Sequence, residues 1–115
     1  MGPTADLSIA DAVSQLIGIY QEARRKIERR EASRVEFIQP VVVTTQEGQN
    51  LTVLSRDLSV TGIRLIGTRR LLGQKIRLRL GEYEFVARVL WSCPVGDDLV
   101  ENGGNFLSVR QLDPA

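Results

Sequence analysis

Residues 74–93 read QKIRLRLGEYEFVARVLWSC, and this stretch decides the fold class. Apolar and polar side chains alternate up to Gly81 and again after it, which is the period-two pattern of strands with one buried face. Gly81 is suited to turn the chain between the two strands. We therefore expect an antiparallel hairpin. Its expected core face carries Ile76, Leu78, Leu80, Tyr83, Phe85, Ala87, Val89 and Trp91.

Further short strands are predicted on both sides of this hairpin, at residues 35–45, 51–56, 62–67 and 105–112. Polar or glycine-containing turns separate them, and the longest is the loop at residues 94–104. Pro40 cannot donate to a strand ladder, so it predicts a bulge or an edge within the first strand. Six short strands with this spacing predict a mostly-β protein built as a six-stranded antiparallel barrel.

One N-terminal helix is predicted before the barrel, over residues 8–31. Ser8 and Asp11 resemble a capping box at its start. Apolar residues recur at helical spacing and form one stripe. The stripe would pack on the chain's own barrel, or it would join two copies as a homodimer through helix 8–31. Both readings stay open. The stripe consists of Ile9, Val13, Leu16, Tyr20, Ala23 and Ile27.

The length of 115 residues suits one domain with one core. We expect a flexible segment at 1–7, the helix at 8–31, a barrel domain at 28–112 and a tail at 113–115. The N-terminus lacks the pattern of a secretory signal, and no apolar run approaches the roughly 20 residues of a membrane span. We therefore expect no membrane span and a cytoplasmic protein.

Composition argues against several classes of function. The chain has no histidine and one cysteine, Cys93, so a zinc site or histidine-based catalysis is not expected. The lone Cys93 is expected to be a buried apolar residue. A net charge of +1 does not favour DNA binding. A barrel for single-stranded nucleic acid would need exposed aromatic side chains, whereas these lie on the expected core face. We expect neither an enzyme nor a bound metal or cofactor.

Two polar stretches remain that could carry chemistry. The first is a patch of cations, because six of the fifteen Lys and Arg residues lie between Arg24 and Arg34. Arg30 and Arg34 fall where the helical pattern ends and the strand pattern begins. A guanidinium fits a phosphate or the O6/N7 edge of guanine with two hydrogen bonds. A solvated helix end would look the same if this stretch stood alone.

The second stretch is DLSVTG, residues 57–62. Asp57 or Ser59 could stabilise a turn here through its side chain. Gly62 suits a positive φ or the close approach of a ligand. In a binding site, the Asp57 carboxylate could accept from guanine N1–H and N2–H₂, and Ser59 could donate to a phosphate or base.

Together the two stretches resemble the PilZ domain family. The family pattern is Arg-x-x-x-Arg followed, some twenty to thirty residues later, by Asp/Asn-x-Ser-x-x-Gly. Here Arg30 and Arg34 form the first half, and Asp57, Ser59 and Gly62 form the second. The resemblance covers about residues 28–112. It implies a six-stranded β-barrel that binds the bacterial second messenger cyclic di-GMP.

The resemblance also implies a role for each motif residue. Arg30 and Arg34 would clamp guanine edges and phosphates. Asp57 and Ser59 would contact a guanine from the barrel surface, and Gly62 would let the ligand lie close to the strand.

Arg29, just before the motif, is associated in this family with stacking on guanine and with a second ligand molecule. Two molecules of cyclic di-GMP per domain are therefore expected.

The family often carries a helix after the barrel, whereas this chain has its helix in front. We expect ligand binding to relay a signal by changing how the helix sits on the barrel, or by changing the binding of an unidentified protein effector. The alternative is a PilZ-like adaptor that contacts proteins and binds no nucleotide.

Overall fold

The structure is a computed structural model that describes residues 8–24 and 35–112, with helical side chains up to residue 18. Several expectations concern residues outside these ranges. They are the arginines at 29, 30 and 34, the continuation of the helix over 25–31, the flexible start at 1–7 and the tail at 113–115.

One helix and seven strands are found in the described residues. In chain order they are α1 (Ile9–Arg24), β1 (Val35–Glu36), β2 (Pro40–Thr44), β3 (Asn50–Leu58), β4 (Gly62–Gly67), β5 (Lys75–Leu80), β6 (Tyr83–Pro94) and β7 (Val100–Gln111).

Strands β2 to β7 form a closed barrel because β3 pairs along both of its edges. The strand order is β3, β2, β5, β6, β7, β4, and β4 pairs again with β3. Every pairing is antiparallel. The short β1 shares one edge of β3 with β2. The predicted six-stranded antiparallel barrel with one N-terminal helix is confirmed.

The barrel interior holds the apolar core. In β5 the alternation predicted from the sequence is observed, since Ile76, Leu78 and Leu80 are buried while the cations between them are exposed. Phe85 lies in the core between two other aromatic rings, with its centroid 6.4 Å from that of Tyr83 and 4.5 Å from that of Phe106. Burial of apolar area at these positions is the main stabilising contribution to the fold.

The first expected strand is divided in two before Pro40. The Ser55 hydroxyl donates to the Phe37 carbonyl and accepts from the Gln39 amide at 3.1 Å. These two side-chain hydrogen bonds take the place of ladder bonds that a continuous strand would make. Ile38 lies in the resulting bulge and is exposed. The interruption expected from Pro40 is therefore present, and a buried serine on β3 stabilises it.

The prediction for the end of the hairpin was wrong at Trp91 and Cys93. The register of β6 against β7 shifts between Val89 and Trp91, so Leu90 is an extra residue in a β-bulge. Because a bulge reverses the facing of the residues after it, Trp91 points outward and is 41% exposed. Cys93, two residues further along, is exposed rather than buried.

The last strand also begins earlier than expected. Residues 100–104 belong to β7, although their composition predicted a loop. This segment pairs with β4 and β6 on its two sides, so it lies inside the barrel wall. The loop between β6 and β7 is correspondingly short.

The described part of α1 packs on its own barrel. Ser8 caps it, accepting the Asp11 amide at 3.1 Å. Val13 and Leu16, from the predicted stripe, are buried in the same core as the barrel residues. Tyr83 donates to Gln15 across this contact. No helix in the described residues is long and apolar enough to cross a membrane.

We expect Leu16→Ala to lower the free energy of unfolding by about 2–5 kcal/mol, since it removes a buried side chain from the helix–barrel contact. Urea denaturation at several protein concentrations measures it. Ser14→Ala, on the exposed face of the same helix, should change stability by less than about 0.5 kcal/mol. A loss that varies with protein concentration would instead indicate that this stripe joins two copies.

Candidate functional site

The second half of the predicted motif lies on one hairpin. Asp57 is in β3, Ser59 begins the turn and Gly62 begins β4. Glu36 of β1 pairs with Asp57, and Val35 pairs with Leu58. Val35 directly follows Arg34 in the sequence. The three predicted residues of the hairpin are therefore close together, and Val35 lies beside them.

Asp57 faces the outer surface of the barrel because β3 carries a bulge. The register of β3 against β4 shifts between Ser55 and Asp57, which leaves Arg56 as the extra residue. Asp57 then lies directly opposite Arg64 of β4. The guanidinium Nε of Arg64 donates to both carboxylate oxygens of Asp57, at 3.0 and 2.9 Å, and its Nη2 donates to Oδ2.

Glu101 of β7 extends this ion pair into a network. Its buried carboxylate accepts from Arg56 Nη1 at 2.9 and 3.1 Å, and its Oε2 lies 3.8 Å from Arg64 Nε. The hydrogen bonds to Asp57 raise the pKa of the Arg64 guanidinium, against a smaller lowering by burial. The negative charges of these two carboxylates thus offset the positive charges of the two guanidiniums. Arg64 is charged at any ordinary pH.

Ser59 stabilises the turn between β3 and β4. Its hydroxyl oxygen accepts from the amides of Thr61 and Gly62, both at 3.2 Å, and its own amide donates to the Gly62 carbonyl at 2.9 Å. Of the two turn-forming side chains that the sequence suggested, the serine fills this role, whereas Asp57 pairs with Arg64. The buried hydroxyl is therefore part of the scaffold of the hairpin.

Gly62 is required by the neighbouring strand. It does not have a positive φ, which in the described residues is found at Gly48, Gly73 and Gly81. A Cβ atom at position 62 would overlap the backbone carbonyl oxygen of Gly104 in β7. The glycine lets β4 and β7 come together at this point.

A shallow pocket of about 170 Å³ lies beside this hairpin. The indole of Trp91 covers Gly103, where a Cβ atom would overlap the ring. The volume is below the roughly 300–1,000 Å³ of ordinary ligand pockets, so the described residues would enclose only part of a nucleotide-sized ligand. The pocket is lined by Ile63, Arg64, Leu90, Trp91, Gly103, Gly104 and Asn105.

The sequence reasoning missed Arg64, Trp91 and Glu101 as candidate site residues. A signal for this region existed, because a Gly-Gly pair within a strand often marks the close approach of another group. Gly103 and Gly104 stand in such a pair, but their polar neighbours made the segment look like a loop.

The described residues supply an aromatic surface, a flat backbone floor and hydrogen-bonding groups of both kinds. These are the groups that hold a nucleobase by stacking and by hydrogen bonds at its edge. In the same residues no group of three or more His, Cys, Asp or Glu side chains could hold a metal ion.

We expect Ser59→Ala to lower the free energy of unfolding of the ligand-free protein by roughly 1–3 kcal/mol, since two turn amides lose their acceptor. Thermal or urea denaturation measures this. Ser108→Ala, an exposed serine in β7, should leave stability nearly unchanged. Equal stability of the two variants would contradict the structural role of the Ser59 hydroxyl.

The chain matches one model of a known protein family. The family model described as PilZ domain matches residues 28–112, which is most of the chain and includes both halves of the motif. No curated protein sequence matches the chain. Domains of this family are binding and adaptor domains rather than enzymes, and they generally bind cyclic di-GMP. The match covers the whole barrel, so this chain belongs to the PilZ domain family.

Proposed function

We propose that this protein is a receptor for cyclic di-GMP, which binds across the outer face of the β3–β4 hairpin. The pairing of β1 with the end of β3 is the main support for this proposal. Val35 and Glu36 pair with Leu58 and Asp57, so the residue after Arg34 lies against the second half of the motif. The segment that directly follows the motif arginines in sequence thus pairs with the second half of the motif.

The chemistry of the ligand matches the groups available there. Cyclic di-GMP carries two phosphate charges and two guanine bases. Arg30 and Arg34 neutralise the phosphates and reach guanine edges, since each guanidinium offers a fork of donors. Asp57 contributes hydrogen bonds from the barrel side, and Ser59 stabilises the turn that follows it. The near-neutral chain carries its cations in a local patch, as a specific anion site requires.

Trp91 adds a stacking surface that the motif alone does not contain. The residue is 41% exposed, and its ring lies on the backbone of Gly103, beside Arg64. Stacking of a base on an aromatic ring contributes about 1–3 kcal/mol. Because this is the only tryptophan of the chain, its fluorescence reports on this pocket directly.

Arg29 sets the proposed stoichiometry. Its guanidinium would stack on a guanine of a second cyclic di-GMP molecule held against the first. Two ligands per domain would then bind to the wild-type protein and one to a variant without this side chain.

The proposed output is a change in the relation between helix and barrel. Residues 25–34 join α1 to β1, and they include the motif arginines. A ligand that holds those arginines against the hairpin also restrains the path from helix to barrel. Ligand binding can shift this arrangement only by stabilising one form more than the other. An unidentified protein effector would read the difference.

We expect calorimetry to show selective binding of cyclic di-GMP, with Arg30→Ala weakening it by roughly 2–5 kcal/mol because a desolvated bidentate contact is lost. GTP and cyclic di-AMP serve as control ligands for selectivity. The number of cyclic di-GMP molecules that Arg29→Ala binds tests whether the second molecule depends on this side chain. Arg79→Ala, an exposed arginine of β5, is the matched control and should bind as the wild type does.

Absence of binding heat, together with an unchanged melting temperature at high cyclic di-GMP, would overturn the receptor proposal. The result would then favour the alternative of an adaptor that recognises proteins alone.

We also expect saturating cyclic di-GMP to change the distance between helix and barrel. Spin labels on the native Cys93 and on Ser14→Cys, both exposed, allow this distance to be measured. Cyclic di-AMP is the control ligand. An unchanged distance distribution at saturation would contradict the relay while leaving the binding proposal intact.

A further inference from the structure

Arg64 presents half of its guanidinium to the pocket. The edge formed by Nε and Nη2 faces the Asp57 carboxylate. Nε also lies 3.8 Å from Oε2 of Glu101. Nη1 donates to no side chain or backbone atom of the described residues. The opposite edge, formed by Nη1 and the second hydrogen of Nη2, therefore keeps a fork of two donors. Arg64 lines the pocket, and its side chain is 31% exposed.

Two carboxylates fix the orientation of this fork. A bidentate pair with Asp57 holds the plane of the guanidinium, and Glu101 approaches from β7. A donor held in this way loses little conformational freedom when a ligand arrives. The fork is thus ordered before binding, unlike an arginine on an unsupported side chain.

The charge around Arg64 decides which acceptor it suits. Asp57 and Glu101 balance Arg56 and Arg64, so the network as a whole attracts a phosphate weakly. A neutral acceptor pair with fixed geometry suits it better. The O6 and N7 atoms of guanine form such a pair and accept from an arginine fork in two hydrogen bonds. Trp91 in the same pocket offers the base a stacking surface.

We propose that Arg64 is a specificity-determining residue that reads the O6/N7 edge of one guanine of the ligand, with Asp57 and Glu101 as its positioning residues. This inference rests on the proposed binding of cyclic di-GMP. Adenine presents an amino group in place of O6, which would oppose the guanidinium donors. Arg64 therefore selects guanine over adenine, and Asp57 acts partly through Arg64.

The test removes the fork on the protein and one acceptor on the ligand. Arg64→Lys keeps the charge beside Asp57 but loses the planar fork. Arg110→Lys is the matched control, since Arg110 also donates to a carboxylate, that of Glu84, and does not line the pocket. The ligands are cyclic di-GMP and its 7-deaza analogue, which lacks N7. Affinity comes from calorimetry and from Trp91 fluorescence, and thermal unfolding shows whether each variant is folded.

We expect Arg64→Lys to weaken cyclic di-GMP binding by about ten- to a hundredfold, and Arg110→Lys to leave it within about threefold. The loss on replacing N7 should be smaller in Arg64→Lys than in the wild type, because that variant has already lost the contact. A merely structural role for Arg64 would not change the penalty for losing N7.

The role of Arg64 and the binding of cyclic di-GMP can fail separately in these experiments. Wild-type binding that Arg30→Ala removes and Arg64→Lys preserves would overturn the role of Arg64 alone. An equal N7 penalty in the wild type and in Arg64→Lys would do the same. If the wild type binds no cyclic di-GMP, both the receptor proposal and this inference fail.

Discussion

The bulge at Arg56 is the local constraint on which the site depends. Strand β3 pairs along both edges to close the barrel, and the extra residue turns Asp57 to the outer surface opposite Arg64. In a regular strand, the period of two would point Asp57 toward the same side as Ser55, into the core. An ionised side chain there would be strongly destabilising. The irregularity of β3 therefore makes one face of the hydrophobic barrel polar.

Two kinds of residue share this face. Ser59 and Gly62 shape the hairpin and bring the strands together, and their contacts lie within the protein. Arg64, held by Asp57 and Glu101, keeps donors directed at the pocket. The hydrogen bonds of the free protein therefore distinguish the motif residues Ser59 and Gly62, which shape the scaffold, from Arg64, which lies outside the motif and keeps unused donors.

The regular parts of the fold could be predicted from the sequence, because alternation in β5 and the start of β6 directly records which face is buried. The bulge at Leu90 could not be predicted, since the apolar sequence continues through it while the facing of Trp91 reverses. The start of β7 was missed for the opposite reason: Gly103 and Gly104 resemble a loop, but they allow the Trp91 ring and the backbone of β6 to approach closely. Local composition does not encode such contacts between distant segments.

We propose that cyclic di-GMP binds on the outer face of β3, β4 and β7. Amide and indole resonances in ¹H–¹⁵N spectra, titrated with cyclic di-GMP, test this most directly, because the single Trp91 gives one indole signal. We expect shifts concentrated at the Trp91 indole, Gly62, Arg64 and Asn105, with the exposed side of β5 unaffected. Saturable binding whose shifts cluster on β5, with the Trp91 indole unmoved, would contradict this placement of the ligand.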